Sequence, residues 1–428
     1  MSDRTISTTQ GVPPRPGATT PVARRLAPLL PAIVASILPV FLIGALVGPM
    51  GSELGYREAT AGLLMAAFFA VSALVSRKAG ALADSVGPIT TLQIGLVGSA
   101  IVAAGVAAGV RSVTLLAIAM MVGGACNALT QIASNVYLAR YLPPDRHGLA
   151  FAVKQSANPG GAMAAGLLLP TLVLNLGWRS AFVVAACGAG CSAVALQAGR
   201  NWPPAVPVPD VGIRQGAVTT SPPPTGGRDR ALILVAASAA FGSASAVALG
   251  GFFVESGRNA GMALGTAGLA ASVGSAFAIA GRVATGVWAD HTLASPRRIL
   301  GWVAVMLAVG SLALVVFGIR APAAHWLALP VAYGAGWAWP GVFNLAVVRA
   351  RPGEPGRATG VSQTGIYVGT TLGPLVLGPV SERAGYPLTW SVAALLAVVG
   401  AVGMWAARSR LDPQGAGGGR RQESRRSR

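Results

Sequence analysis

The sequence predicts an all-α membrane protein of twelve transmembrane helices in two pseudo-symmetric six-helix bundles. Three observations carry that reading. The 428-residue chain is 53% apolar and only 11% charged, with a mean hydropathy of +0.61, which leaves too little polar surface to cover a water-soluble globule of that size. Apolar runs of about 20 residues recur along it, the length a helix needs to cross hydrocarbon while satisfying its own backbone. The chain also repeats itself. Gly80-Ala81-Leu82-Ala83-Asp84 returns as Gly286-Val287-Trp288-Ala289-Asp290, and Pro144, Gly148, Gln155, Gly161 and Gly177 return as Pro352, Gly356, Gln363, Gly369 and Gly385 at a constant offset of 208.

The spans follow in order. The first, 27–50, is free of charge. The second, 59–76, runs from Arg57 to the Arg77-Lys78 pair, and the third, 89–110, is closed by Arg111. The fourth, 113–138, stops before Arg140. The fifth, 149–174, contains Lys154, and the sixth, 179–198, lies between Arg179 and Arg200. The second half begins with 231–253, after Arg228 and Arg230. It continues with 264–287, which contains Arg282, and 299–319, between Arg298 and Arg320. The tenth, 324–348, ends at Arg349; the eleventh and twelfth are 357–380 and 386–407, separated by Arg383 and ended by Arg408. Gly and Ala punctuate the runs, as expected where helix backbones approach closely within a bilayer.

The formal charge of +19 raises the question of nucleic-acid binding. With the N-terminus inside, 24 of the 32 Lys and Arg residues fall on inner segments, six on outer loops and two within spans. That asymmetry is the positive-inside pattern and predicts a multi-pass protein of the cytoplasmic membrane with both termini in the cytoplasm. The excess is spread over all the inner loops and is not gathered on one folded basic patch, so nucleic acid is not the expected partner; the bilayer is. The Arg-rich tail also suits anionic lipid.

Expected boundaries are a disordered leader over 1–26, a first bundle over 27–198, a Pro-rich tether over 199–229, a second bundle over 230–408, and a basic disordered tail over 409–428. Cys126, Cys187 and Cys191 lie inside spans and read as small packing residues, with no metal or cofactor implied.

From 27 to 408 these residues resemble the major facilitator superfamily. Members carry a Gly-x-x-x-Asp signature after the second span, echoed after the eighth; here it is Gly80, Asp84 and Gly87, then Gly286 and Asp290. Ser85 and Pro88 stand where basic residues usually follow. The resemblance gives these residues a gating role, and physics supplies one: an aspartate at a membrane face can hold the positive N-terminus of a neighbouring helix. Lys154-Gln155-Ser156-Ala157-Asn158-Pro159-Gly160-Gly161, with Ser362-Gln363-Thr364-Gly365 in the other half, is similar to the cyanate and nitroimidazole branch. Gly281-Arg282 with Gly286 and Asp290 resembles the eighth helix of oxalate, formate and monocarboxylate carriers, where an arginine contacts substrate.

Lys154 and Arg282 are the only ionic groups inside spans, and at 1.5 Å per residue they lie at similar depths, roughly 9 and 12 Å from the inner face. The fold implied by the resemblance sets their helices against each other. A small anion, held by the paired donors of Arg282, is the expected ligand, against the alternative that either side chain snorkels to lipid phosphate. Gln155 and Gln363 are equivalent by the repeat. Asn127, Gln131 and Asn135 form one stripe of the fourth span, which either lines a cavity or links helices. Tyr367, Trp337, Trp339 and Asn344 are further candidates. His147, His291 and His325 sit at span ends, too little buried for a proton relay.

The two lysines follow Arg77 and Val153, so no phosphate-binding loop exists, and acids and histidines are scattered; an enzyme is not expected. The expected activity is secondary transport of a small solute by a monomer working through alternating access, with a proton as a coupling partner left open. The alternatives are efflux of hydrophobic drug-like compounds and a non-transporting sensor.

Overall fold

The computed structural model describes residues 29–141, 147–198, 227–292, 295–350 and 355–410. The first span is a bent pair, Leu29–Ala45 and Val47–Leu54, turned by 72°. Glu58–Ser85, Pro88–Gly109 and Val113–Tyr141 follow. The fifth span is broken into His147–Gln155 and Ala157–Leu168 and ends in a π-helical turn, Leu169–Val173, with a last turn Leu174–Leu176; Arg179–Ala198 is the sixth. The second half repeats the plan with Gly227–Gly251 and its extension Phe253–Asn259, then Leu264–His291 and Pro296–Phe317. The tenth span is again broken, into Pro322–Gly334 and Pro340–Ala350. The eleventh and twelfth form one unbroken run, Pro355–Ala407, in which Gly385 departs from helical geometry (φ 79°, ψ 172°) and separates two spans.

Among the described residues every element is helical; nine helices, or ten with the bent first pair, are long and apolar enough to cross a membrane, and dividing the last run at Gly385 and taking the two pieces of the tenth span as one brings the twelve that the apolar runs predict. The leader, most of the tether and the tail beyond Arg410 lie outside the described residues; the seventh-span helix starts at Gly227, inside the expected tether.

The repeat reappears as geometry. Gly177 and Gly385, equivalent in sequence, both take the left-handed region (φ 77° and 79°) at the turn into the last span of each half, where a side chain would be strained. Gly161 fits the fifth span onto Ile37 and Phe41 of the first, and its counterpart Gly369 fits the eleventh onto the backbone of Ala240 in the seventh. Gly365, Gly369 and Gly373 face Ala236, Ala240 and Ala244 in turn, so the two helices touch backbone to backbone, the small-residue packing that substitutes for a hydrophobic drive in lipid.

Large apolar side chains are exposed on the third, sixth, ninth and twelfth spans, among them Ile101, Val194, Leu312 and Leu395. These are lipid-facing staves, and the contacts between halves run through the first, second and fifth spans of one and the seventh, eighth, tenth and eleventh spans of the other. We call the membrane face carrying residues 85–88, 295–298 and 407–410 the basic face. At the opposite face the halves meet tightly in three places: Gly44 on Gly251, Gly62 on Pro374 and Gly378, and Gly166 on Gly268. Ser272 Oγ adds a hydrogen bond to Met163 O across the last of these (2.9 Å).

Candidate substrate site at the seam

Two prolines prepare the site. Pro159 has no N–H to give Gln155 O, and its ring crowds that carbonyl, so the fifth span breaks at Ser156. The tenth span unwinds into turns over 335–339 ahead of Pro340, which lacks the N–H that would reach back to Gly336 O, and the unwinding leaves Trp337 O outside the helical ladder. Both freed carbonyls are taken by one side chain. Arg282 of the eighth span, 1% exposed, donates from Nη1 to Gln155 O and from Nη2 to Trp337 O (2.7 Å). Gly341 packs at this point against Ala152 of the fifth span and near Arg282 Cβ.

Lys154, 3% exposed, donates from Nζ to Gln155 Oε1 at 3.5 Å. Gln155 therefore receives both cations, one through its side chain and one through its backbone. Neither cation is exposed or within ion-pair distance of a carboxylate among the described residues, so neither snorkels. A guanidinium has five N–H donors, and the Nε of Arg282 is buried with no partner. The N-terminus of Pro340–Ala350 adds the positive end of a half-helix beside it.

Above the cations, towards the opposite face, Phe41 lies between Gly161 and Gly250 and meets Trp337 edge to face (5.9 Å). The Trp337 ring is also 5.9 Å from the Arg282 guanidinium carbon. Phe41 carries no sequence signal of its own; its role follows from the glycines that flank it.

The other candidates divide. Gln131 Nε2 donates to Asn158 Oδ1 (3.4 Å), which joins the fourth span to the fifth beside Gln155, and Asn135 is half-buried further along that face. Asn127 bonds Ser36 and Ser72 (3.2 and 3.4 Å) and so links the first, second and fourth spans. Gln363 is half-buried with an unpartnered Oε1, and no hydrogen bond joins it to Arg282 or Lys154 among the described residues. Tyr367 bonds Ser76 of the second span instead. Trp339 packs inward on Phe343, Gly242 and Leu307, away from the seam. Asn344 is 7% exposed with an unpartnered Oδ1.

At the basic face Asp290 Oδ2 accepts from Leu149 N in the first turn of the fifth span (3.2 Å), and its Oδ1 pairs with Arg349 Nη2 (3.3 Å). Gly286 is buried beside it in the eighth span. Asp84 is exposed at the end of the second span, Gly80 has free space over its Cα to Ile132 Cγ2 at 3.9 Å, and Gly87 takes φ 90° ahead of Pro88.

Two sequence expectations need correction. Cys187 and Cys191 are exposed on the sixth span, a lipid-facing stave, and only Cys126 packs inside. His325 is not a surface residue: it is 1% exposed, stacked on Phe317 (5.3 Å), with Nδ1 on Ala321 O (3.2 Å) and Nε2 on Ser256 Oγ (3.1 Å). Trp390 Nε1 donates to the same hydroxyl (2.7 Å). A carbonyl only accepts, so Nδ1 carries the proton and Nε2 accepts from Ser256, which makes a fully paired neutral network. His325→Leu is expected to destabilise by about 1–3 kcal/mol, because the hydroxyl loses its acceptor in an apolar setting. Thermal unfolding of the purified protein checks this, and transport affinity is expected to be unchanged.

Twelve spans in two related halves, with broken helices and buried cations at their seam, make this a polytopic membrane transporter. The chain belongs to the major facilitator superfamily, whose family model matches residues 29–374 and 257–427. Similar curated proteins are uncharacterised MFS-type transporters of two Mycobacterium tuberculosis strains. They are 27% and 28% identical over 317 and 318 residues, 73% of this chain and 69% of each relative. Similar solved structures include a D-xylose-proton symporter (TM-score 0.68, 16% identity, 90% of this chain and 97% of that one). A bacterial homologue of the lysosomal transporter Spinster, inward-facing and unoccupied, also matches (TM-score 0.68, 14% identity, 91% and 97%).

Proposed function

We propose that the protein is a secondary carrier of a small organic or inorganic anion, bound at the seam by Arg282 and Lys154 and moved by rocking of the two halves. The observation that carries this reading is the pair of buried cations that converge on Gln155 with no carboxylate within ion-pair distance of either among the described residues. A buried charge without a counter-ion is costly, and a ligand that brings the missing negative charge is the simplest way to relieve it. Broken helices at the midplane are where carriers of this kind place their substrates. Gln155, Gln131, Asn135, Gln363 and Tyr367 complete the proposed lining. The positive-inside count supports a cytoplasmic basic face and termini, and the likeness to cyanate-type carriers belongs to the same reading. Two six-helix units at 27–198 and 230–408 are the proposed moving bodies, within a monomer.

Lys154→Ala is expected to weaken anion binding about tenfold, the loss of one charge-assisted contact, and to leave the protein folded. The measurement is thermal stabilisation of purified protein across a panel of small carboxylates and inorganic anions, followed by uptake into proteoliposomes with and without an imposed pH gradient. Full uptake at unchanged affinity in both Lys154→Ala and Arg282→Lys would sink the proposal. The Phe41–Trp337 roof favours a second reading, export of an apolar compound; stabilisation by lipophilic cations and by no anion would select it.

A further inference from the structure

A groove of about 400 Å³ opens at the basic face between the eighth, ninth and twelfth spans, away from the seam. It is bordered by Arg297, Arg298 and Arg408, and by Trp288, Trp302 and Trp405. Among the described residues none of the three arginines has a carboxylate partner. Arg408 is held in place: its guanidinium carbon lies 3.1 Å over the centre of the Trp405 ring, and Gly301 leaves room for it to cross the ninth span. The ninth helix starts here, with Ser295 as its cap and Pro296 at its first position, so its positive end faces the same space.

Below Trp302 the ninth span exposes Val305 and Leu312 in one helical stripe, and below Trp405 the twelfth exposes Val402 and Leu395 in another. A cationic pocket at the basic face is therefore bordered by two helices that each carry an exposed apolar stripe away from it, with indole rings at the boundary, where amphipathic rings settle at a membrane surface. A free anion would use the pocket and leave the stripes untouched. We propose that the groove is a binding site for an anionic phospholipid, the phosphate held by Arg297, Arg298 and Arg408 and an acyl chain laid between the ninth and twelfth spans. Each basic residue beside a phosphate-bearing surface adds to the attraction, and a pocket between helices makes it specific.

The probe is phosphatidylglycerol, with phosphatidylcholine of the same acyl chains as the neutral control, added to the full-length protein in detergent and read by native mass spectrometry and thermal unfolding. Wild-type protein is expected to retain phosphatidylglycerol and gain stability from it. Arg297→Gln with Arg298→Gln is expected to lose about tenfold in retention, as is Trp405→Leu, which changes no charge and sits on an exposed surface. Lys78→Gln with Arg230→Gln removes the same charge elsewhere on the basic face and is expected to leave retention within about twofold. Equal losses in the two double variants, full retention in Trp405→Leu, equal retention of phosphatidylcholine, or the same stabilisation from inorganic phosphate would each overturn the proposal.

Discussion

Replacing Arg282 by Met is expected to abolish transport while the protein remains folded, with an unfolding temperature within a few degrees of wild type or above it. Two terms oppose each other. The substitution strands Gln155 O and Trp337 O, which lose their donors at a cost of about 1–3 kcal/mol each. It also removes a guanidinium buried without a counter-ion, whose desolvation costs several kcal/mol and is repaid only in part by two carbonyls. The sum is close to zero or favourable, the usual sign of a residue kept for function at the expense of stability. Arg282→Lys keeps the charge but loses the planar donor pair, and is expected to weaken substrate binding by about tenfold or more. Uptake into proteoliposomes and thermal unfolding of the same preparations decide the matter. If the Met variant fails to fold, and Arg282→Lys folds and transports at wild-type affinity, Arg282 is a clasp for two broken helices and the substrate lies elsewhere.

That dual role shows where sequence reading stops. The spans were legible because the bilayer imposes one length and one polarity on each, and the repeat was legible because Gly177 and Gly385 occupy a backbone conformation that few other residues tolerate. Lys154 and Arg282 stood out for the same reason, as charges where charge is expensive. The carbonyl partners of Arg282 carried no such signal. Backbone acceptors have no letter in a sequence, and the prolines at the two helix breaks, Pro159 and Pro340, read as ordinary interruptions until the eighth span is placed against both breaks. The burial of His325 is hidden from the sequence for a related reason. Its position near a span end argues for water, but three other helices converge there and close over it, through Phe253 and Ser256, Phe317, and Trp390. The amides of the fourth span divided along lines that spacing could not foresee, Asn127 tying helices together and Gln131 reaching towards the site.

Asp290→Asn and Glu382→Gln are expected to shift the carrier in opposite directions. Each carboxylate accepts from the first turn of a helix in the other half: Asp290 from Leu149 N at the basic face, Glu382 from Ala59 N at the opposite face (3.1 Å). The helix N-terminus offers unpaired N–H groups and partial positive charge, so a carboxylate there is worth about 0.3–1 kcal/mol, and up to about 2 when half-buried. Asp290 has the further contact with Arg349, with the two side chains 28% and 27% exposed, which adds about 1 kcal/mol at most. An amide keeps the shape and loses the charge. On the rocking-halves reading, Asp290→Asn then favours opening at the basic face and Glu382→Gln favours opening at the other, each changing the ratio of states by about three- to tenfold. Single reporter cysteines near either end of the seam, in a background without Cys126, Cys187 and Cys191, measure this by their alkylation rates. The double variant is expected to return towards the wild-type ratio, since both faces lose comparable latches. Shifts of the same sign, or rates that do not move, would mean that the two contacts only stabilise the fold and that the closures of the seam, at Gly44, Gly62 and Gly166, set the balance alone.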